Sequence, residues 1–296
     1  MKDVVIVIIT YNSAACIATL LDSIAANTPG LDRHVVVVDN GSTDGTLGVL
    51  AGRDDIQVIQ ETNRGYAAGF NRGVAQAPPA RSYLLLNPDL VVVSNLGPLL
   101  AALTGRAGIA APRVVDSGGE LVASLRRDPT ILRAIGLNRT GIAAVSEYVA
   151  AGPVYDAPAV ADWALGAALA ISSECLADVG AWDESYFLYS EETDFCLRAR
   201  DRGWSTVYEP RSLVRHDEGG SGRSDLTHQM QILNRVRLYR RRHGRAASTA
   251  YWLATIASEI SWWLRGHRQS RTAVRALLNP AVRPPQLPRD PSLIPS

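Results

Sequence analysis

Six apolar residues in an unbroken row, Val4-Val5-Ile6-Val7-Ile8-Ile9, stand near the head of the chain. A strand with one wet face alternates apolar and polar residues. A continuous run instead marks a strand covered on both sides, the condition of a parallel sheet between helices. The run stops at Thr10-Tyr11-Asn12-Ser13, where Asn12 or Ser13 can cap a helix whose apolar face is Ile17, Leu20, Leu21 and Ile24. Further strands are predicted over residues 35–38, 56–60 and 83–86. They end in Asp39-Asn40-Gly41-Ser42-Thr43-Asp44-Gly45, in the glycine-spaced stretch from Asn63-Arg64-Gly65 to Asn71-Arg72-Gly73, and in Asn87-Pro88-Asp89. Strands alternating with helical segments read as a doubly wound α/β sheet. The 296 residues, 47% apolar and 20% charged, suffice for one large α/β domain or two unequal ones.

The middle of the chain, residues 112–162, is less regular, with Gly118-Gly119, Asn138 and Pro153 as breakers and a short helix suggested over 131–137. A strand-like approach over 161–171 leads to a helix capped at Ser172 or Ser173 and ended by Gly180. Then comes Tyr186-Phe187-Leu188-Tyr189-Ser190-Glu191-Glu192-Thr193-Asp194, aromatics followed by acids at a helix start. A last strand is predicted over 205–209, followed by His216 and the polar, glycine-rich stretch 217–222. Helices over 227–239 and 251–264 precede a loose, Pro-rich tail from residue 280.

Several classes are excluded. The three cysteines, Cys16, Cys175 and Cys196, lack metal-ligand spacing and read as thiols in a reducing compartment. Neither a basic leader with a cleavage site nor a run of 18 uncharged apolar residues occurs, so no secretory leader and no membrane-spanning helix are expected. The formal net charge of +1 conceals eleven arginines against one acid, Glu259, over residues 233–283. Lys2 is the only lysine, so the arginine bias follows composition. Without a recognition module the basic segment does not point to nucleic acid. Trp252, Leu253, Ile256, Ile260, Trp263 and Leu264 form one helical face, with Thr255, Ser258 and Glu259 on another. Such a face suits a membrane interface, or packing against the rest of the chain or a second copy in a homodimer.

Polar groups gather just past the strand ends, where open parallel sheets bind ligands. Thr10, Asn12, Asp39, Asp44, Asn71 and Asp89 could all face one cleft, although Asn-Gly and Asp-Gly are also ordinary turn formers. Asp89, behind the stiffening Pro88, suits a divalent cation. His216 could add a ligand, and an imidazole favours Mn²⁺ over Mg²⁺. Acids at 191, 192 and 194 gain from the helix dipole. Crowded behind aromatics, one of them would be desolvated and raised in pKa, as a general base requires. There is no G-x-G-x-x-G after the first strand and no P-loop, which weighs against a dinucleotide fold and excludes a P-loop nucleotidase. Gly65, Gly69 and Gly73, four apart, mark close approaches of backbone to a ligand or another element.

Taken in order, the segment 4–12, Val38-Asp39-Asn40-Gly41-Ser42-Thr43-Asp44-Gly45, the 63–73 stretch, Leu86-Asn87-Pro88-Asp89, Glu191-Glu192-Thr193-Asp194 and His216 resemble the inverting family 2 glycosyltransferases of GT-A fold, especially their rhamnosyltransferase-like branch. The resemblance covers about residues 4–242. It implies a Rossmann-like mixed sheet flanked by helices, with a helical C-terminal extension. It places Thr10, Asn12, Asp39, Asn63, Gly65, Asn71 and Asn87 on the nucleotide sugar, and Asp89 and His216 on Mn²⁺ or Mg²⁺. Asn87 stands where the family's D-x-D motif has its first Asp. Glu192 matches the catalytic base, usually Asp, with Glu191 as the alternative; Glu191, Asp194 and Trp163 are acceptor-binding or supporting residues. The implied reaction is inverting transfer, with L-rhamnose from dTDP-L-rhamnose to a polyprenyl-diphosphate-linked sugar or other cell-envelope glycan as the first expectation. A UDP- or GDP-hexose or N-acetylhexosamine donor is the alternative. A GT-A-like nucleotidyltransferase would need a glycine-rich basic loop after the first strand, and a non-catalytic homologue would not need intact Asp89 and Glu192. The expected organisation is a catalytic domain over 1–225, in which residues 1–111 bind the donor and residues 112–225 form the acceptor side. A helical extension over 226–279 and a flexible tail over 280–296 follow. The expected location is cytoplasmic, at the inner face of the cell membrane where the C-terminal helices meet lipid.

Overall fold

The computed structural model describes residues 1–137, 140, 142–216 and 224–288; Asn138, the stretch 217–223 and residues 289–296 lie outside the described residues. Strand β1 (Lys2–Thr10) runs parallel to β2 (Arg33–Asp39) on one side and β4 (Ala80–Leu86) on the other, and β3 (Gln57–Gln60) continues beyond β2. The unbroken apolar run of β1 is buried on both faces, as expected. Val5, Val7 and Ile9 enter one core with Phe70, Phe195 and Trp182, while Val4, Ile6 and Ile8 enter the other with Ile17, Leu20 and Leu99. Each such aliphatic side chain contributes roughly 1.5–3 kcal/mol on burial.

Helices α1 (Ile17–Asn27), α2 (Thr46–Ala51) and α4 (Gly97–Ala101) supply the second core, and α3 (Tyr66–Gln76) covers the first. Helix α1 buries the four predicted residues, but neither Asn12 nor Ser13 caps it with a side chain. The Ser13 carbonyl accepts from the N–H groups of Cys16 and Ile17, while the Asn12 side chain turns to Thr43. Two of the three glycines four apart, Gly69 and Gly73, are explained by helix–strand packing. A Cβ on Gly69 would lie 2.9 Å from Ile9 and one on Gly73 2.6 Å from Val7, so α3 sits on β1 at a distance no larger residue permits.

Among the described residues the main sheet has nine strands. Beyond β4 come β10 (Ala168–Ser172), β6 (Ala107–Val115) and β11 (Ser205–His216), and the short strands β5 (Leu90–Val92) and β8 (Ala159–Ala161) share the outer edge of β11. Strand β10 is antiparallel to both neighbours, so the sheet is mixed. Strand β11 extends well past the predicted residues 205–209. Pro210 cannot donate to a ladder, but the pairing with β6 shifts register between Glu209 and Leu213 and then resumes to the strand's end. A small hairpin-like sheet joins β7 (Leu125–Arg126) to β9 (Trp163–Ala164), near the short helix α5 (Ile131–Ala134). Helix α6 (Ser173–Val179) is capped by the Ser172 hydroxyl, and α7 (Glu191–Asp201) carries the acids.

Helices α8 (Asp225–Arg242), α9 (Arg245–Leu264) and α10 (Arg268–Leu278) build a separate core around Met230, Leu233, Val236, Tyr251, Ala273 and Leu277. Phe187, Leu188 and Tyr189 pack against it. The expectation of a loose tail from residue 280 is corrected over its first residues. Pro280–Val282 forms a 3-10 turn, Leu287 is buried in the helical core and the Arg283 Nε–H donates to the Ala276 carbonyl. Among the described residues no helix is long and apolar enough to cross a membrane.

Candidate active site

The carboxyl ends of β1 and β2 are stitched together by polar groups. Thr10 and Asp39 are paired in register, and the Thr10 hydroxyl donates to Asp39 Oδ1 at 2.9 Å. The backbone N–H of Ser42 donates to Asp39 Oδ2 at 2.9 Å and its hydroxyl to Oδ1 at 2.5 Å. Asn12, held at φ +53°, accepts from the Thr43 N–H, and its own N–H donates to the Ser42 hydroxyl. Asp39 is thereby buried with both oxygens occupied and shapes the Asn-Gly-Ser loop. Asp44 is a turn residue: its oxygens accept from the N–H groups of Ala14 and Thr46 and from the Thr46 hydroxyl, which with the last as largest cause holds its pKa below the usual value.

Two other candidates lie apart from the strand ends. Asn71 sits on α3, where its amide bonds Trp182 through both the N–H and the carbonyl of that residue and also donates to Glu184. It ties α3 to the segment before the acids, and its polar atoms are committed there. Asn63 accepts from the Gly65 N–H and shapes the turn into α3. Gly65, at φ +99°, lies so close to Phe187 that a Cβ would stand 2.4 Å from the Phe187 carbonyl oxygen. That carbonyl accepts from the Tyr66 N–H at 2.7 Å, which binds the start of α3 to the approach to α7.

The fourth strand end leads to the acids. Asn87 follows β4, and its Oδ1 accepts from the Tyr66 hydroxyl at 2.5 Å. Asp89 precedes β5, and its Oδ1 lies 3.1 Å from Nε2 of His216, the last residue of β11. The ladder explains the meeting, because His216 pairs with Leu90, the neighbour of Asp89. Among the described residues no third His, Cys, Asp or Glu joins the pair to form a ligand cluster.

Glu191 and Glu192 open α7 on the same side. Glu192 is half-buried and packs on Gly166, where an added Cβ would be 3.1 Å from its Cβ and Cγ. Burial raises its pKa above the ordinary carboxylate value, and the Arg126 guanidinium opposes part of that rise. Glu191 is only 3% exposed, and its Oε2 has no hydrogen-bond partner. Burial, joined by the charge of Glu192, lifts its pKa well above the usual range. Tyr66 feels the whole assembly: burial first, then the charges of Glu191, Glu192 and Asp89, push its phenol well above its ordinary pKa. Tyr66 thus marks the point where donor-side and acid-side residues converge.

Asp194 and Trp163 are framework residues. Asp194 is buried and pairs with Arg198 Nε at 2.7 Å. Trp163 is buried opposite Arg126 in the β7–β9 pair, and its indole N–H donates to the Arg127 carbonyl at 3.0 Å. Tyr186, one of the aromatics that precede the acids, is fully buried. Sequence reasoning missed Tyr66, whose partner Asn87 is brought to it by the fold, and Arg126, which bonds the nearby Ala123 and Leu125 carbonyls and lies over the rings of Tyr148 and Trp163. Their only signal was position: Tyr66 follows the constrained Gly65, and Arg126 lies in the irregular middle segment.

The profile of the family described as Glycosyl transferase family 2 matches residues 5–146. An N-acetylglucosaminyl-diphospho-decaprenol L-rhamnosyltransferase of Mycobacterium tuberculosis is 28% identical over 254 residues, which span 77% of this chain and 81% of that protein. The low-salt glycan biosynthesis hexosyltransferase Agl10 of Haloferax volcanii is 31% identical over 207 residues; the match covers 68% of this chain and 62% of that one. Among solved structures, GalNAc-T7 with UDP, GalNAc and Mn²⁺ superposes with a TM-score of 0.61 at 16% identity, over 92% of this chain and 58% of that one.

Proposed function

The chain belongs to glycosyl transferase family 2 and has the GT-A fold of a glycosyltransferase, and from that premise we propose that it is a metal-dependent inverting enzyme. In this reading it moves L-rhamnose from dTDP-L-rhamnose to a lipid-linked, diphosphate-bearing sugar. The observation that carries the proposal is the arrangement beside the β4 strand end: Asp89 meets His216, Tyr66 meets Asn87 and the Gly166 carbonyl, and Glu192, next to Glu191, packs on Gly166. The relative whose name specifies rhamnose and a decaprenyl-diphosphate acceptor supports the choice of sugar and acceptor.

Each residue then has a task. Thr10, Asn12 and Asp39 shape the loop that receives the nucleotide, with Asn63 and Gly65 setting the turn beside it. Asn87, steadied by Tyr66, faces the sugar diphosphate. Asp89 and His216 offer one hard oxygen and one imidazole nitrogen in contact with each other, a donor set that fits Mn²⁺ better than Mg²⁺ and leaves further positions to phosphate oxygens and water. A divalent cation bound there would neutralise the departing diphosphate. Glu192 takes the proton from the acceptor hydroxyl as that oxygen attacks the anomeric carbon from the face opposite the diphosphate. One base suffices for such single displacement, and its raised pKa suits the task. Glu191, Asp194 and Trp163 support this arrangement.

The C-terminal helices supply the contact with lipid. Leu253, Ile260, Trp263 and Leu264 on α9 are exposed, and the exposed arginines 265, 268 and 271 lie at the end of that face. An anionic bilayer surface matches both features. A homodimer through the same face would set arginine against arginine. The proposed location is therefore the cytoplasmic face of a membrane.

The test is a thermal-shift panel of nucleotide sugars with Mn²⁺ or Mg²⁺, because a bound donor stabilises the fold by mass action. Stabilisation by dTDP-L-rhamnose is expected. A selective response to a UDP- or GDP-hexose would replace the donor assignment, and no response to any nucleotide sugar would overturn the proposal.

A further inference from the structure

The segment that delivers the acids to the cleft has an unusual backbone. Phe187, Tyr189 and Ser190 have φ of +61°, +70° and +74°, and Asn12 is the only other non-glycine residue with positive φ among the described residues. Side chains of L-residues rarely adopt this region, and a chain keeps such conformations only where its surroundings hold them. Ser190 is the residue before α7, so its conformation sets the direction in which Glu191 and Glu192 leave the loop.

The holding groups come from α8. Asn234 is 0% exposed, and its Nδ2 lies 2.7 Å from the Tyr186 carbonyl oxygen, 2.9 Å from that of Leu188 and 3.1 Å from that of Tyr189. Its Oδ1 accepts from Arg237 Nη1 at 2.7 Å, which fixes the amide's orientation. Arg237, also 0% exposed, donates to the Ser185 carbonyl at 3.0 Å and stacks over the Tyr186 ring. One turn on, Arg241 donates to the Ser185 hydroxyl and pairs with Asp183. On its other side the loop meets the cleft, where the Phe187 carbonyl receives the Tyr66 N–H.

We infer that Asn234 is a positioning residue for the acid pair: it holds the left-handed loop 187–190 so that Glu191 and Glu192 face Tyr66 and Asn87. Helix α8 is thereby built into the active-site framework. The inference extends the proposed function in one respect only: the effect on turnover rests on Glu192 acting as base, whereas the effect on the loop does not.

Two measurements on the full chain separate these effects. Amide hydrogen exchange compares the wild type with Asn234→Ala, and Asn234→Ser serves as a milder variant that keeps a hydroxyl donor. Exchange over residues 187–192 is expected to rise about tenfold or more in Asn234→Ala, less in Asn234→Ser, with β1 and β2 unchanged. Leu99→Ala, which thins the other core around Val4, Ile6 and Ile8, should leave residues 187–192 protected. Steady-state kinetics with dTDP-L-rhamnose, Mn²⁺ and a polyprenyl-diphosphate-linked N-acetylglucosamine should show kcat falling by up to about 10²-fold in Asn234→Ala. Donor KM should remain within about twofold, because the donor loops are not displaced. Unchanged exchange over 187–192, or a loss carried by donor KM with kcat intact, overturns the inference. If the wild type fails to turn over this pair, the donor and acceptor assignment falls and the exchange comparison alone decides the role of Asn234. If Asn234→Ala does not fold, Asn234→Ser carries the same comparison.

Discussion

Asp89 Oδ1 lies 3.1 Å from His216 Nε2 across 127 positions of sequence, and the β5–β11 ladder makes them neighbours. A slip of one residue in that ladder would turn the pair apart. Asp89→Ala should therefore weaken Mn²⁺-dependent donor binding at least as much as the roughly 10–100-fold that loss of a metal site's supporting partners produces. His216→Ala should have the smaller effect. Calorimetric titration of the donor with and without a chelator measures both, and an unchanged affinity in Asp89→Ala with Mn²⁺ would remove Asp89 from the metal.

Glu192→Gln keeps the size of the side chain and removes its basicity. The expected result is a fall in kcat of about 10²–10⁴-fold with donor affinity unchanged. The wild-type pH profile carries the sign. A base must be ionised, so kcat falls as pH drops through the folded pKa, and burial places that limb above the ordinary carboxylate range. Near-normal turnover by Glu192→Gln would transfer the role to Glu191.

Glu191 is buried with Oε2 unpartnered, and its pKa is raised in the folded state. A raised folded pKa means that the folded state holds its proton more tightly than the unfolded state. The stability this gives is fully present below the unfolded pKa and is lost as pH rises through the folded one. Glu191→Gln should remove that decline and leave the protein roughly 1–3 kcal/mol more stable at neutral pH, with the gain shrinking in acid. Denaturant titrations at several pH values would show it, and a destabilised variant at neutral pH would contradict it.

Gly65 combines a positive φ with a Cβ position blocked by backbone, whereas Gly105, at φ +56°, has open space around its Cβ position. Gly65→Ala should cost roughly 3 kcal/mol or more, because the Phe187 carbonyl has no room to move without losing the Tyr66 N–H. Gly105→Ala should cost only the conformational share, about 1–2 kcal/mol. Equal losses in chemical denaturation would mean that the close approach is relieved.

Trp263 and Leu264 stand exposed at the end of α9. Replacing both by Asp should sharply reduce co-sedimentation with vesicles containing anionic phosphatidylglycerol while leaving the thermal midpoint nearly unchanged. Added salt should weaken the wild-type interaction through its arginine component. Full-length protein that never sediments with such vesicles would exclude lipid as the partner of this face.

The strand ends were legible because the apolar runs β1, β2 and β4 have one environment each, and buried parallel strands show this directly in residue type. Which polar residue at a strand end is free to meet a ligand was not legible. Asp39, Asp44 and Asn71 look like Asn87 and Asp89 in sequence, yet Asp39 has both oxygens taken by Thr10 and Ser42, Asp44 closes a turn, and Asn71 lies on α3 and is held by Trp182. That difference depends on partners brought by the fold. Tyr66 escaped notice for the same reason, since its importance lies in Asn87, Glu191 and Glu192. The long β11 was cut short at Pro210 because a proline reads as a strand breaker, and a register shift that absorbs it leaves no local mark. The C-terminal helices were visible as helices, but their grip on the loop before α7 is a matter of single hydrogen bonds from Asn234.

Strand β10 is the late seam of the sheet. Its residues Ala168 to Ser172 lie between β4 and β6, so the first four parallel strands and the β6–β11 pair are joined in the sheet only through it. During synthesis, β4 emerges about eighty residues before the strand that will cover its flank. Over that interval Tyr83, Leu84, Leu85 and Leu86 present an apolar edge with unpaired backbone groups, the kind of template that recruits other chains. A truncated nascent chain ending before Ala168 would carry every donor-side strand and still lack the one that shields them.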